Sequence, residues 1–199
     1  MVLAGKHDAK EVVYLVCWAK EGKENTEATL EAALQYARER GINSIVVASS
    51  TGATAEKFIG CGKKVVCVTY QAGFKEPGKL TMKPETRERL QQAGIDVLAT
   101  THLMAGLDRA LRYKFQGIYP SEIMAYTLRM FGQGVKVCVE VAGMALDAGL
   151  IPHGEEIVAV AGSGRGADTA VVMVPAHSQY FFDTKIKEII CKPREFEHH

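Results

Sequence analysis

Two observations predict an α/β fold for this chain. Short apolar runs bounded by turn residues alternate with stretches of helical periodicity, which is the pattern of strands and helices packed in layers. The last two apolar runs are separated only by Gly162–Asp168, too few residues for a parallel crossover. The sheet is therefore expected to be mixed, with an antiparallel late strand. At 199 residues the chain is read as one domain spanning 1–199, large enough for a real core.

The elements follow in order. Val12 to Trp18 reads as a strand. From Thr26 to Arg40, Leu30, Ala33, Leu34 and Ala37 fall at i, i+3, i+4 and i+7, a helical face, and Gly41 suits its stop. Strands are expected at Ser44–Ser49 and Lys64–Tyr70, with a short helix from about Gly52 to Ile59 between them. A loop from Gln71 to Lys83 carries two glycines and a proline. Pro84 then suits the start of a helix reaching Ala93. Asp96–Thr101 is the next strand, and helices fill most of Leu103 to Leu150. Val135, Val137, Val139 and Val141 alternate as a strand would, but no turn closes the run and Ala142–Ala148 is strongly helix-forming. Length favours helix. Glu156–Ala161 and Thr169–Pro175 complete the set.

Composition excludes more than it assigns. Apolar residues make up 47% and charged residues 24% of the chain, with a net charge of +1. That is ordinary globular composition, with no surplus charge to attract nucleic acid or an anionic membrane. No apolar run approaches the roughly 20 residues of a bilayer span, and the polar, charged Met1–Lys10 is not expected to act as a signal peptide. Cys17, Cys61, Cys67, Cys138 and Cys191 are odd in number and form no C-x-x-C pair. Four of them sit in apolar or small-residue surroundings and read as small core residues of a protein in reducing cytoplasm. The histidines, among them His7, His153 and His177, are scattered without ligand spacing, so no metal site is expected. The terminal run from Glu195 to His199 carries no weight in the reading.

Chemistry concentrates in two loops. Ser49-Ser50-Thr51-Gly52-Ala53-Thr54 follows the strand Ile45–Ala48, and Gly162-Ser163-Gly164-Arg165-Gly166 follows Ile157–Ala161. Ligands of open α/β sheets bind beyond the carboxyl ends of strands, so if these strands are neighbours the loops share one crevice. The first loop offers hydroxyls and a helix N-terminus, suited to a phosphate, although Ser or Thr there also serves as a cap. The second matches the dinucleotide fingerprint in letters but runs into a strand instead of a helix. Three glycines and Arg165 exceed what a hairpin turn needs, and Arg165 is expected to grip an anion as the loop closes. Trp18, Lys20 and Asn25, at or beyond the carboxyl end of the first strand, and His102, after the fourth, are candidates for the same edge. Ser163 lacks the context of a nucleophile elbow.

These residues carry a resemblance. From about Thr26 to Pro175 the chain resembles the C-terminal domain of pyruvate kinase, and more closely the small stand-alone archaeal and bacterial proteins of that fold. The resemblance rests on the strand and loop Ser44–Ala55, on Lys64–Thr69, on Ala148-Gly149-Leu150-Ile151-Pro152-His153-Gly154-Glu155-Glu156, on the glycine loop, and on Thr169–Pro175. It implies a three-layer α/β/α fold with a mixed, mostly parallel sheet, and it places the two loop-bearing strands side by side. It further implies that the crevice takes a phosphorylated small molecule, a sugar phosphate in the kinases and flavin mononucleotide (FMN) in the stand-alone relatives. The protein is then a binding protein or a flavin-dependent oxidoreductase. Pyruvate kinase activity is not expected, because a catalytic barrel needs roughly 200 residues more. A homo-oligomer remains open.

Overall fold

The computed structural model describes residues 15–197, and it follows the alternation of strand and helix. β1 (Val16–Lys20) leads through a 3₁₀ turn at Lys23–Asn25 into α1 (Thr26–Glu39). Val12–Tyr14 of the expected first strand lie outside the described residues. β2 (Ser44–Ala48), α2 (Ala53–Glu56), β3 (Lys64–Tyr70), α3 (Pro84–Gln92) and β4 (Asp96–Thr100) come next. The helical region comprises α4 (Gly106–Phe115), α5 (Pro120–Arg129) and α6 (Gln133–Asp147), and the valine-rich segment is helix throughout. β5 (Ile157–Ala161) and β6 (Thr169–Val174) form an antiparallel hairpin. After a 3₁₀ stretch at Ser178–Asp183 the chain ends in β7 (Lys185–Glu195).

β7 is absent from the sequence reading. Its residues are half charged and include Pro193, features that argue against a strand. They are tolerated because β7 lies near one end of the sheet, between β6 and β1, with its outer residues exposed. The seven strands run in the order β1-β7-β6-β5-β2-β3-β4. β2 pairs in parallel with β3 and β5, and β3 with β4. β6 is antiparallel to both its neighbours, and β7 is parallel to β1. The carboxyl ends of β1, β2, β3, β4, β5 and β7 therefore share one edge.

Period-2 alternation divides the core between the sheet's two faces. Ile45, Val47, Val65, Cys67, Val158 and Val160 pack with Leu30, Ala33 and Ala37 of α1, with Phe58 and with Leu90 of α3. Val46, Val66, Ala159, Ala161, Val171 and Met173 pack under Val135, Cys138, Ala142 and Leu146 of α6. This is the three-layer α/β/α fold. α6 is buried almost all round, with twelve of its fifteen residues inside, as expected of a helix covered on both faces. Among the described residues no helix is long and apolar enough to cross a membrane.

α6 approaches β6 closely at its first turn. A Cβ on Gly134 would lie 2.0 Å from the Thr169 hydroxyl and 2.5 Å from its Cβ. Helix propensity alone would favour alanine there by up to ~1 kcal/mol, but overpacking against a strand side chain costs about 1–3 kcal/mol, so the clash wins. Gly134→Ala should lower the urea midpoint by that net amount, and a variant at least as stable as the parent would contradict the close packing.

Candidate functional site

β2 and β5 lie side by side in register, Ile45 opposite Val158 and Val47 opposite Val160. Their loops therefore leave the same edge together and open on one cavity of about 350 Å³, a size within the range of small-molecule sites. Ser49 and Ser50 form one wall, and Gly162, Ser163, Gly164 and Gly166 form another. Tyr70 ends β3 and Phe74 follows it, and His102 follows β4. Arg109 of α4, Arg129 of α5, and Gln133, Lys136 and Glu140 of α6 also line it, over an apolar floor that includes Val68, Val137 and Met144.

The first loop is fixed from below. Ser49 N–H donates to Val68 O at 3.0 Å, and the Thr69 hydroxyl donates to Ser50 O at 2.8 Å. Ser49 Oγ accepts the N–H groups of Thr54 and Ala55, at 3.2 and 3.4 Å. Both lone pairs of that hydroxyl are used, so its proton is left to donate. Thr54 is buried, and Gly52, at φ 95°, leaves room for the Thr86 side chain, which a Cβ would meet at 2.5 Å. Of the expected residues in this loop, Thr51, Gly52, Ala53 and Thr54 do not line the cavity; Gly52 caps α2 against Thr86 of α3, and Ala53 and Thr54 open the helix.

The second loop hangs on Asp168. This carboxylate is 1% exposed. Its Oδ2 accepts the N–H groups of Gly22 at 3.1 Å and Ser163 at 3.2 Å, and Oδ1 accepts the Thr169 hydroxyl at 2.8 Å. Ala167 N–H donates to Thr26 Oγ1 at 3.0 Å, and that hydroxyl donates to Lys23 O at 2.6 Å. Asn25 turns its amide onto Lys20 O and Gly22 O. Trp18 packs against the core. Trp18, Lys20 and Asn25 thus stand behind the glycine loop and off the cavity. Arg165 is exposed at the loop tip and does not line the cavity either. The Ser163 hydroxyl, on the lining, is buried without a hydrogen-bond partner.

An aromatic group walls the cavity on the β3–β4 side. The Tyr70 and Phe74 rings stack at 4.1 Å, with the His102 ring 5.2 and 5.1 Å from them. The Arg109 guanidinium lies 5.3 Å from the Phe74 ring centre, a cation–π distance. His102 Nδ1 is 3.1 Å from Gln71 Oε1. Across the cavity Lys136 and Glu140 form a buried ion pair one helical turn apart, and Glu140 also accepts the Met104 N–H at 2.9 Å. Arg129 donates to Gln133 at 2.7 Å. Burial pushes the Lys136 ammonium below its usual range, against the pull of Glu140. Tyr70, Phe74, Arg109, Arg129, Gln133, Lys136, Glu140 and Asp168 were not among the site residues read from the sequence. Lys136 and Glu140 did carry a signal: two opposite charges four apart in an otherwise apolar helix share a face.

A family model, pyruvate kinase alpha/beta domain, matches residues 27–173. The chain belongs to that family. The pyruvate kinase alpha/beta domain family span runs from α1 to β6, so β1 and β7, which pair with each other, lie outside it. Among solved structures, a pyruvate kinase from Cryptosporidium parvum matches at 18% identity with a TM-score of 0.39, over 74% of this chain and 22% of that one. A second structure of Cryptosporidium parvum pyruvate kinase, in complex with ADP, gives 17% and 0.37 over the same shares. This chain spans about a fifth of the length of those enzymes.

His102 gives the site a signature in pH. Burial holds its proton affinity below the ordinary 6.5, outweighing the attraction of Glu140. The unfolded chain therefore takes up a proton at this residue before the folded one does. Its contribution to stability is complete above pH 6.5 and is lost as the pH falls below that, until the folded group protonates too. Denaturant midpoints measured from about pH 8 down to about pH 5, above the main carboxylate range, should decline. His102→Gln should flatten the decline, whereas an unchanged slope would assign the loss to other groups.

Proposed function

We propose that the cavity binds a phosphorylated small molecule bearing a planar ring, with FMN the best fit. The observation that carries the reading is the division of the walls. The serine and glycine loops line one side, and a stacked aromatic group with Arg109 over its Phe74 ring lines the other. The hydroxyls of Ser49, Ser50 and Ser163 and the backbone of the glycine loop would hold the phosphate, and Ser163 brings a hydroxyl that lacks a partner within the protein. Arg109, Arg129 and Lys136 supply positive charge, the role first given to Arg165. Charge-assisted bonds of this kind are the strong ones. Tyr70, Phe74 and His102 would face the ring.

When bound, a flavin supplies a group that accepts and returns a hydride. The residues of this chain then position it, shield it and balance the phosphate charge. His102 favours a second reading, that of a flavin-dependent oxidoreductase. It stands on the cavity wall with its proton affinity lowered by burial, so it is neutral near pH 7 and able to accept a proton beside the ring. Turnover of a nicotinamide with an added acceptor would favour this reading over a carrier or sensor. We place the protein in reducing cytoplasm, in keeping with its five free cysteines.

Titration by flavin fluorescence tests the binding reading. FMN should bind at least tenfold tighter than riboflavin, or about 1.4 kcal/mol. Arg129→Ala should remove most of that difference and leave riboflavin unaffected, and Phe74→Ala should weaken both ligands together. Equal affinity for the two flavins in the parent protein would defeat the phosphate assignment.

A further inference from the structure

We infer that a second, smaller cavity, between α4, α5 and the first turn of α6, is a site for a small doubly charged oxyanion, inorganic phosphate or sulfate. Its volume is about 120 Å³, against about 350 Å³ for the main cavity. It suits a tetrahedral anion and not a nucleotide. Helical spacing builds it. Arg109 and Arg112 lie three apart on α4, and Glu122, Ala125 and Arg129 recur at i, i+3 and i+7 on α5, so each set shares one face. Lys136 of α6 completes its charges. The other charged groups nearby on α4 do not line it: Lys114 is exposed, and Asp108 accepts the Ser121 N–H at 3.0 Å.

The cations outnumber their partners. Arg112 pairs with Glu122 at 2.7 Å, and the other Glu122 oxygen accepts the Tyr119 N–H at 3.3 Å. Lys136 pairs with Glu140. Among the described residues Arg109 and Arg129 pair with no carboxylate. Arg109 lies 5.3 Å from the Phe74 ring centre and Arg129 5.0 Å from that of Tyr126, with its Nε donating to Gln133. A ring face offers no lone pair to the N–H groups in the guanidinium plane. Two positive charges thus remain on half-buried side chains, and a dianion matches them. Lys136 feels the crowding: burial lowers its proton affinity most, and Arg129 and Arg109 lower it further against the pull of Glu140. Guanidinium forks meet an oxyanion with paired, charge-assisted bonds. Arg109, Arg129 and Lys136 line the main cavity as well. An anion in the smaller one would therefore weaken the positive potential in the larger, making binding there sensitive to free phosphate.

The inference does not depend on the flavin reading. Sulfate is the probe, titrated against chloride at constant ionic strength and followed by heteronuclear NMR. It should shift the backbone amides of Ala125 and Tyr126, which line the smaller cavity and not the main one, along a saturable curve. Arg112→Gln should weaken that curve at least about tenfold. Glu122→Gln removes the carboxylate from the lining and keeps an acceptor for the Tyr119 N–H. It should tighten sulfate at least about threefold, a gain that misfolding could not imitate. Phenyl phosphate, the same kind of anion carrying a ring, should not reproduce the shifts. The inference is overturned if Ala125 and Tyr126 do not respond, if Glu122→Gln fails to tighten sulfate, or if phenyl phosphate matches it. Shifts confined to Ser50 and Gly164 would also overturn it, placing the anion on the loops of the main cavity and leaving the flavin reading intact.

Discussion

One buried carboxylate sets the shape of the ligand edge. Asp168 lies beyond the reach of solvent, and burying an ionised group is costly unless every lone pair finds a donor. Its donors come from three parts of the chain: Gly22 before α1, Ser163 in the glycine loop and Thr169 at the start of β6. Each is held where the carboxylate requires it. The loop therefore has a fixed root and a free tip, and only Gly164 and Arg165 are fully exposed there. The bare Cα of Gly134 extends the same constraint to α6, because Thr169 fills the space a side chain would take. Gly162 and Gly166 make room for the loop and for α1, whereas a Cβ on Gly164 would meet nothing. A Cβ on Gly166 would meet the Thr26 hydroxyl at 2.2 Å.

Strands and helices with clear periodicity were legible in the sequence, and so was the crevice. β2 and β5 are short, apolar and followed by small polar residues, and the rule that ligands lie beyond strand ends locates their shared mouth. Seven residues between β5 and β6 were enough to give an antiparallel pair. Trp18, Lys20 and Asn25 failed for a reason of strand order. They do occupy the correct edge of the sheet, but β7 and β6 intervene between β1 and β5. The glycine loop stands between them and the cavity, with Lys23 and Thr26 packed behind Gly166. The displacing strand β7 is charged and contains a proline, so no local pattern announced it.

The cationic and aromatic walls were hidden for a different reason. Phe74 lies in a loop, Arg109 on α4 and Arg129 on α5, and their convergence depends on how α4 and α5 fold back over α6. Helical periodicity reports which face of a helix is apolar; it does not report which strand end the polar face will overhang. Thr51 and Thr54 show the converse. Their residue types suited a phosphate, yet a Ser/Thr-rich turn can spend its hydroxyls and N–H groups on its own helix, and Ser49 does so here.

The Lys136–Glu140 pair is the strongest physical reason to treat the cavity as functional. Two charges inside a helix that is otherwise buried and apolar are poor contributors to stability. Replacing such a pair by well-packed apolar residues is often neutral or stabilising by about 1–4 kcal/mol. Packing alone would therefore favour two more valines in the run from Val135 to Val141. The pair stays partly hydrogen-bonded to its surroundings through the Met104 N–H, which holds Glu140 in place and leaves Lys136 lining the cavity. Burial lowers the proton affinity of the Lys136 ammonium, and an anion arriving beside it would raise it again, since an opposite charge nearby favours the charged form. In the binding proposed above, the ion pair would hold positive charge beside the phosphate, which an apolar core could not provide.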